Sequence, residues 1–354
     1  MEILEIGLLL VKAESAYNTD PTPTNASNAI PVEGKAATFE AESDDVERMI
    51  LDGTADKLRG YNVLPRATLR FRYALRGNLR NGGTQLDISN GTSTQAIEIH
   101  PLLAAANMFA TYTAAGTPGS EGSSAGSRDG YVTYTPISFA TEGPSVTCYF
   151  QTQVKRHKMT GCKVDASLVF EAGRMAYIDF TLRGNYVAIA DNAISLTSLA
   201  WSNTMPPLWI DNTGQTVTTS PLTVTGSIGA VNPVASSFNF AMGNQLIMRP
   251  SAVNTEGVKG FIIAGYNATG SFNPESVTEA TNALWADWRS ALVVPVVAHI
   301  GNAKGNYCTL TVNAEYKSVN YADADRRRIH QVTFKAVKST IGAAEGNPFS
   351  LKFG

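Results

Sequence analysis

The chain has 354 residues, of which 44% are apolar and 16% are charged, so it can form substantial apolar cores and is not disordered by composition. Its 28 Lys and Arg residues nearly balance 30 Asp and Glu residues, for a net charge of -2. This balance argues against a protein whose affinity comes from gripping nucleic-acid phosphates.

The N-terminus does not have the pattern of a signal peptide or a membrane anchor. The apolar stretch Ile6–Val11 is too short to span a bilayer, and Glu2 and Glu5 stand where a signal peptide carries basic residues. We therefore expect the protein to be made and assembled in the cytoplasm. The three cysteines have neither disulfide-framework nor metal-ligand spacing, and are expected to be reduced and half-buried on strands: Cys148, Cys162 and Cys308.

Two blocks of opposite charge follow in the first quarter of the chain. The acidic block consists of Glu40, Glu42, Asp44, Asp45 and Glu47, without a base among them. The stretch from Arg66 to Leu86 contains five arginines and no acid: Arg66, Arg70, Arg72, Arg76 and Arg80. Such blocks mark either complementary surfaces between copies of the chain or two solvated faces that pair inside one subunit.

The next segments predict a strand and then a helix. Within Thr68–Arg76, apolar residues alternate with arginines, as a half-buried strand requires. Ile97–Met108 has helical spacing, with Pro101 placed early, where a helix tolerates it. The Gly- and Ser-rich segment Thr113–Gly130 is expected to be a mobile loop.

Three β-branched and aromatic runs predict an antiparallel meander: Val146–Gln153, Lys163–Phe170 and Ala176–Tyr186. The polar segment Lys155–Gly161 and a turn at Glu171–Arg174 are expected to separate them. Ser202–Pro221 is rich in Gly, Ser, Thr and Pro and is interpreted as a linker. Beyond it, Thr281–Leu292 predicts a second helix from the spacing of Leu284, Trp285, Trp288 and Leu292.

The order of elements before the linker recurs after it, which we interpret as an internal duplication. Thr38–Asp52 corresponds to Ser236–Ser251, and Arg66–Asn78 corresponds to Lys259–Phe272. The two helices correspond, and the first meander corresponds to three later runs: Val293–Gly301, Asn306–Tyr316 and His330–Lys338. The alternative is that two β-rich segments share the order strand, helix, meander by chance.

No catalytic, cofactor or metal site is evident in the sequence. The four histidines lie far apart, and none has a partner at metal-ligand spacing: His100, His157, His299 and His330. The acidic block lacks the Asp and Asn alternation, central Gly and closing Glu of a calcium loop. Gly119, Gly122 and Gly126 belong to a low-complexity segment and not to a phosphate-binding loop. The sequence therefore predicts a protein that is not an enzyme.

Several short motifs together resemble the major tail tube proteins of siphophages. The opening segment Val11–Pro23 is similar to the "KxExxYGTDPTPT" start of those proteins, with Asn18 in place of the usual glycine. Further matches follow in the same order: His100–Leu103 at the first helix, Met159–Cys162 between strands, and Phe180–Tyr186 closing the first half. The resemblance covers residues 8–200 well and the second half in outline.

The strand patterns and the repeat predict an all-β fold with peripheral helices, built from two tandem tail-tube-like β-sandwich or barrel domains. The resemblance implies a ring-forming β-sandwich flanked by a helix. We assign residues 1–200 to the first domain with its long extended loops, 201–221 to a linker and 222–354 to the second domain. Contact candidates between subunits or rings are the segment Tyr17, Asp20, Pro21 and Pro23, the acidic block, and Arg66, Arg70, Arg72 and Arg76.

The function that the resemblance implies is a virion structural role without cofactors. Homo-oligomeric rings stack into a hollow tube in the virion tail and conduct phage DNA, which passes without specific binding. The implied partners are other copies of the chain, a tape measure protein, a tail terminator and distal tail or tip proteins. The alternatives are another phage structural protein, such as a head decoration, a baseplate protein or a contractile tail tube, and a carbohydrate-binding β-sandwich.

Overall fold

A computed structural model describes most of the chain. The described residues are 7–33, 36–47, 60–77, 97–113, 131–137, 142–191, 199, 205–210, 220–253, 257–303, 305–324, 326–338 and 347–354. Apart from Thr113, the predicted loop Thr113–Gly130 lies outside these residues, as does part of the predicted linker.

The described residues form a β-rich fold with three short helices. The first half contains β1 Gly7–Ala13, α1 Asn25–Asn28, β2 Ala29–Ile30, β3 Thr38–Val46, β4 Tyr61–Ala74, α2 His100–Ala105, β5 Met108–Thr113, β6 Tyr131–Pro136, β7 Val146–Thr152, β8 Lys155–Glu171 and β9 Tyr177–Asp191. The second half contains β10 Leu222–Gly226, β11 Gly229–Val231, β12 Ala235–Ala241, β13 Asn244–Pro250, β14 Val258–Tyr266, β15 Thr269–Pro274, α3 Leu284–Arg289, β16 Val293–Ala303, β17 Asn306–Ala324, β18 Arg327–Ala336 and β19 Phe349–Phe353.

The all-β class predicted from the sequence is confirmed, as are the strand at Thr68–Arg76 and the antiparallel order β7, β8, β9. In β4 the apolar side chains Leu69, Phe71 and Tyr73 are buried, and Arg70 is exposed. The expected break at Lys155–Gly161 is wrong. This segment belongs to β8, since it pairs with β7 on one edge and with β9 on the other, and Gly161 with φ 60° forms a bulge within it.

Both longer helices are shorter than predicted. The first ends at Ala105 because Asn107 adopts φ 64° and Met108 begins a strand. The second ends at Arg289, and Ala291 with φ 52° redirects the chain. A residue in the left-handed region cannot continue a right-handed helix, and such local reversals are invisible in the apolar spacing.

In the sequence, Pro21, Pro23 and Pro31 favour an extended loop over Asn18–Glu33. The structure differs from that expectation. The segment contains the single turn α1 and the short strand β2, whose Ile30 lies opposite Leu9 of β1. Pro23 and Ile30 are buried within the same chain. The buried residues of this segment pack within the same chain. The segment therefore folds back onto β1 instead of projecting into the solvent.

A 17-stranded sheet contains all strands except β13 and β14, which form a separate hairpin. In the first half, successive pairings give the order β3–β4–β9–β8–β7–β1. In the second half they give β12–β15–β18–β17–β16–β10. These strands correspond one to one, and the short pairs β1–β2 and β10–β11 also correspond. The shared order supports the duplication, which stays a prediction.

The two halves are joined through the sheet and share one hydrophobic core. Strand β12 pairs with β8, and β19 pairs with both β17 and β6. The core cluster includes buried residues from both halves, among them Phe180 and Phe334. Part of the predicted linker is also packed, since Trp209 is buried against Phe170. The cysteines are free as expected but fully buried instead of half-buried.

Candidate assembly surfaces

The segment after β1 is anchored by the buried carboxylate of Glu14. Its Oε1 accepts hydrogen bonds from the Gly161 amide at 2.8 Å and the Thr147 hydroxyl at 2.7 Å. Its Oε2 accepts hydrogen bonds from the Asn18 amide at 2.7 Å and the Ser145 hydroxyl. A buried carboxylate is tolerated only when its lone pairs are satisfied in this way. Glu14 therefore fixes the start of the segment on β7 and β8.

Tyr17 connects the two halves of the chain. Its hydroxyl donates a hydrogen bond to the Gly161 carbonyl at 3.1 Å and accepts one from the Phe261 amide at 2.6 Å. The ring lies against Gly260, where a Cβ would clash with the Tyr17 hydroxyl and where the φ of 141° favours glycine. Burial raises the pKa of Tyr17 to about 12, so the hydroxyl keeps its proton at neutral pH. This contact candidate is thus engaged inside the subunit.

Asp20 lies in a second polar cluster on the same segment. It forms an ion pair with Lys158 and accepts hydrogen bonds from the Tyr149 hydroxyl and the Thr22 amide. Partial burial opposes ionisation, but the hydrogen bonds from Lys158 and Tyr149 outweigh it and hold the pKa of Asp20 below its ordinary value. Lys12 donates a hydrogen bond to the Pro21 carbonyl at 2.9 Å. Of the two prolines named as candidates, Pro21 is half-buried and Pro23 is buried.

Most of the acidic block lies on β3, and Arg66, Arg70 and Arg72 lie on the adjacent strand β4, whereas Arg80 is outside the described residues. Arg66 pairs with Glu42 at 3.1 Å and with Asp44 at 2.8 Å, and Arg70 pairs with Glu40 at 2.8 Å. These residues share one face because the register places Glu40 opposite Thr68 and Glu42 opposite Arg66. Of the two alternatives that the sequence left open, the structure shows pairing inside one subunit; a contact between copies is a separate hypothesis.

The remaining candidates are distributed around these strands. The Arg72 guanidinium donates two hydrogen bonds to the Asp179 carboxylate, at 2.7 and 2.8 Å. Arg76 lies over the Tyr73 ring, 5.3 Å from its centroid. Asp45 and Glu47 are exposed at the end of β3. The end of β3 therefore carries exposed acidic side chains.

The sequence did not reveal the junction between the halves. Strands β12 and β8 pair from Ser237 opposite Glu171 to Ala241 opposite Ser167. Phe238 packs edge to face on Phe170, with ring centroids 5.8 Å apart. The aromatic pattern Phe238, Phe240 was a usable signal for a buried strand, but pairing with a strand 70 residues earlier carries no local sequence signature.

No group of three or more His, Cys, Asp or Glu residues within the described part of the chain could hold a metal ion. Burial raises the pKa values of the Cys148, Cys162 and Cys308 thiols, which makes poor nucleophiles of them. Lys163 is buried and donates a hydrogen bond to the Gly143 carbonyl at 2.6 Å, a structural role. Among the helices described, none has the length and apolar character needed to cross a membrane.

A family model described as "phage tail tube protein" matches residues 6–333, nearly the whole chain and both halves of the fold. No curated protein matches the chain.

Proposed function

Because the chain belongs to the phage tail tube protein family, we propose that it is the major tail tube subunit of a long-tailed phage. The observation that carries this proposal is the family match over residues 6–333, which leaves neither half of the fold for a separate function. The family is structural, and the chain's part is passive: its rings stack into a rigid conduit for DNA. The tube belongs to the virion tail and is assembled in the host cytoplasm. The tube grows from tip proteins around a tape measure protein that determines its length, and a tail terminator protein ends it.

The ring is closed by three copies of the chain, each of which contributes two tandem tube units. Support comes from the shared pairing order, which gives eight strands side by side in each chain: β3, β4, β9, β8, β12, β15, β18 and β17. Three copies would form a barrel of about 24 strands, roughly 50 Å across between backbones at the usual strand spacing and tilt. Such a barrel admits a DNA duplex.

The competing arrangement has six copies per ring, with residues before the linker in the wall and residues after it projecting as decoration. The junction argues against it, since β12 extends the sheet of the first half and does not leave it. A decoration would not need a full set of corresponding strands.

Electron microscopy of the purified protein tests the proposal. In negative stain we expect hollow tubes of uniform bore, formed without other phage proteins. A protein that remains monomeric over a wide concentration range, or that forms closed shells, would show that the chain is not a tube subunit.

A further inference from the structure

The chain contains its own example of how one tube unit joins the next. At the internal junction, β12 of the second half pairs along one edge of β8 of the first half. By the order of pairings, β12 corresponds to β3, and β8 corresponds to β17. If the same junction is repeated between chains, β3 of one copy meets β17 of another.

Both strands have an edge open for this pairing. Strand β12 lies between β15 and β8, whereas β3 pairs only with β4 among the described residues. Strand β16 pairs with one edge of β17 as far as Glu315. Beyond that residue, no described strand covers the same edge, so Asn320–Ala324 are open on that side. At the corresponding place on β8, residues Ser167–Glu171 are covered by β12. Open edges of this kind are liabilities unless a partner covers them.

Exposed aromatic residues surround the open edge of β17. Tyr321 is 56% exposed and Trp288 is 42% exposed, although their neighbours Trp285 and His330 are packed against them. The residue of β8 that corresponds to Tyr321 is Leu168, which lies opposite Phe240 in the internal junction and is completely buried. Trp and Tyr are enriched at the centres of protein interfaces, so this aromatic patch suits a protein partner.

The β13–β14 hairpin also makes a contact inside the chain that the corresponding part of the first half lacks. Strands β13 and β14, which continue from β12 and β15, pack against β8 and β9 of the first half and provide the Phe261 amide that Tyr17 binds. The corresponding ends of β3 and β4 have no such support in the described chain: Val46 is 50% exposed and Tyr61 is 64% exposed. This end of the β3–β4 pair is therefore shaped to lie on a neighbouring unit.

We propose that β3 of one copy pairs antiparallel with Asn320–Ala324 of the next, in the register of the internal junction. Internally, Asn239 lies opposite Val169 and Phe240 lies opposite Leu168. In the corresponding strands, Thr38 takes the place of Asn239 and Ala322 takes the place of Val169. The same register between copies therefore places Thr38 opposite Ala322 and Phe39 opposite Tyr321. The contact is head to tail, and in the proposed tube three repeats of it close the ring. This inference rests on the proposed tube function and specifies its lateral contact.

Disulfide crosslinking of assembled tubes tests the register. Thr38→Cys and Ala322→Cys are placed in one chain, and the control chain carries Asn239→Cys and Val169→Cys, the same pair at the internal junction. The three natural cysteines are buried and do not interfere. After oxidation, we expect Thr38→Cys/Ala322→Cys to give chain-to-chain products ending at a covalent trimer. The control should react only within one chain. A second control, Thr38→Cys with Thr333→Cys on β18, should give no product.

Three results separate this inference from the function on which it rests. Wild-type tubes with the expected crosslink support both. Tubes in which the internal control reacts and the Thr38–Ala322 pair does not would overturn the register and leave the tube function standing. Absence of wild-type tubes overturns both. If the double variant does not assemble, the two single variants are mixed and should give covalent dimers; tubes of the mixture without dimers would also refute the pairing.

Discussion

The Tyr17 hydroxyl accepts a hydrogen bond from the Phe261 amide at 2.6 Å and so links two residues that are 244 positions apart in the sequence. It also donates to the Gly161 carbonyl. Replacing Tyr17 by Phe leaves both backbone groups without this partner in a partly buried place. We expect Tyr17→Phe to lower the free energy of unfolding by about 1 to 3 kcal/mol. Urea denaturation of the unassembled chain measures this, and Tyr61→Phe, at a position exposed in the single chain, is the matched control with no expected change.

The Asp20 cluster predicts a dependence of stability on pH. The folded-state pKa of Asp20 lies below its ordinary value, so the carboxylate stabilises the fold above that ordinary value, near pH 4. This contribution is lost as the pH falls through the folded-state pKa. We expect Asp20→Asn to cost about 1 to 3 kcal/mol at pH 7. The difference from wild type should shrink below pH 4.

Chemical denaturation at pH 7 and at pH 3 provides that comparison. Asp323→Asn serves as the control, because the Asp323 side chain is 83% exposed and its nearest cation is 4.0 Å away. An Asp20→Asn penalty that is equal at both pH values would show that the Lys158 and Tyr149 contacts do not act through the charge of Asp20.

The ion pairs between β3 and β4 should contribute little to stability. The Arg70 and Glu40 side chains are both about half exposed, and pairs of this kind are worth less than about 1 kcal/mol.

We expect Arg70→Glu to weaken tube assembly by placing an extra acid in the acidic block. The exchanged pair, Glu40→Arg with Arg70→Glu, should restore assembly if pairing within the subunit is what matters. If the exchanged pair does not restore tube assembly, then Arg70 or Glu40 acts on a neighbouring copy of the chain.

Assembled tubes should bind free DNA weakly. Arg66, Arg70 and Arg72 are all paired with carboxylates, so they offer few uncompensated charges for counterion release. We therefore expect these arginines to lie at subunit contacts or on the outside of the tube. Sedimentation of tubes with labelled duplex at low and high salt measures the binding. Tight, salt-sensitive binding that disappears on Arg70→Ala and Arg72→Ala would contradict this view of the tube wall.

Much of the fold could be predicted from local patterns, and the differences have identifiable causes. Alternation of Leu69, Phe71 and Tyr73 between arginines defined β4, because side chains of a half-buried strand face opposite sides in turn. The polar start of β8 concealed a strand, since its stability comes from pairing on both edges and not from apolar side chains. The left-handed conformations of Asn107 and Ala291, which shorten the helices, also depend on their surroundings.

The assembly surfaces were harder to predict than the strands. The sequence identified both charged blocks, but only the register of β3 on β4 decides that Arg66 meets Glu42 and Asp44. The sequence also identified the Tyr17 segment, whereas its partner Phe261 belongs to the other half. Long-range pairing of this kind follows from topology, and no short window of residues contains it.

Determination of the symmetry of tubes by cryo-electron microscopy tests the central claim most directly. The account predicts threefold rings with pseudo-sixfold symmetry, in which two similar but distinguishable units alternate around the wall and β3 of each chain continues the sheet at β17 of the next. Six identical chains around one ring, with the residues after Pro221 outside the tube wall, would contradict it.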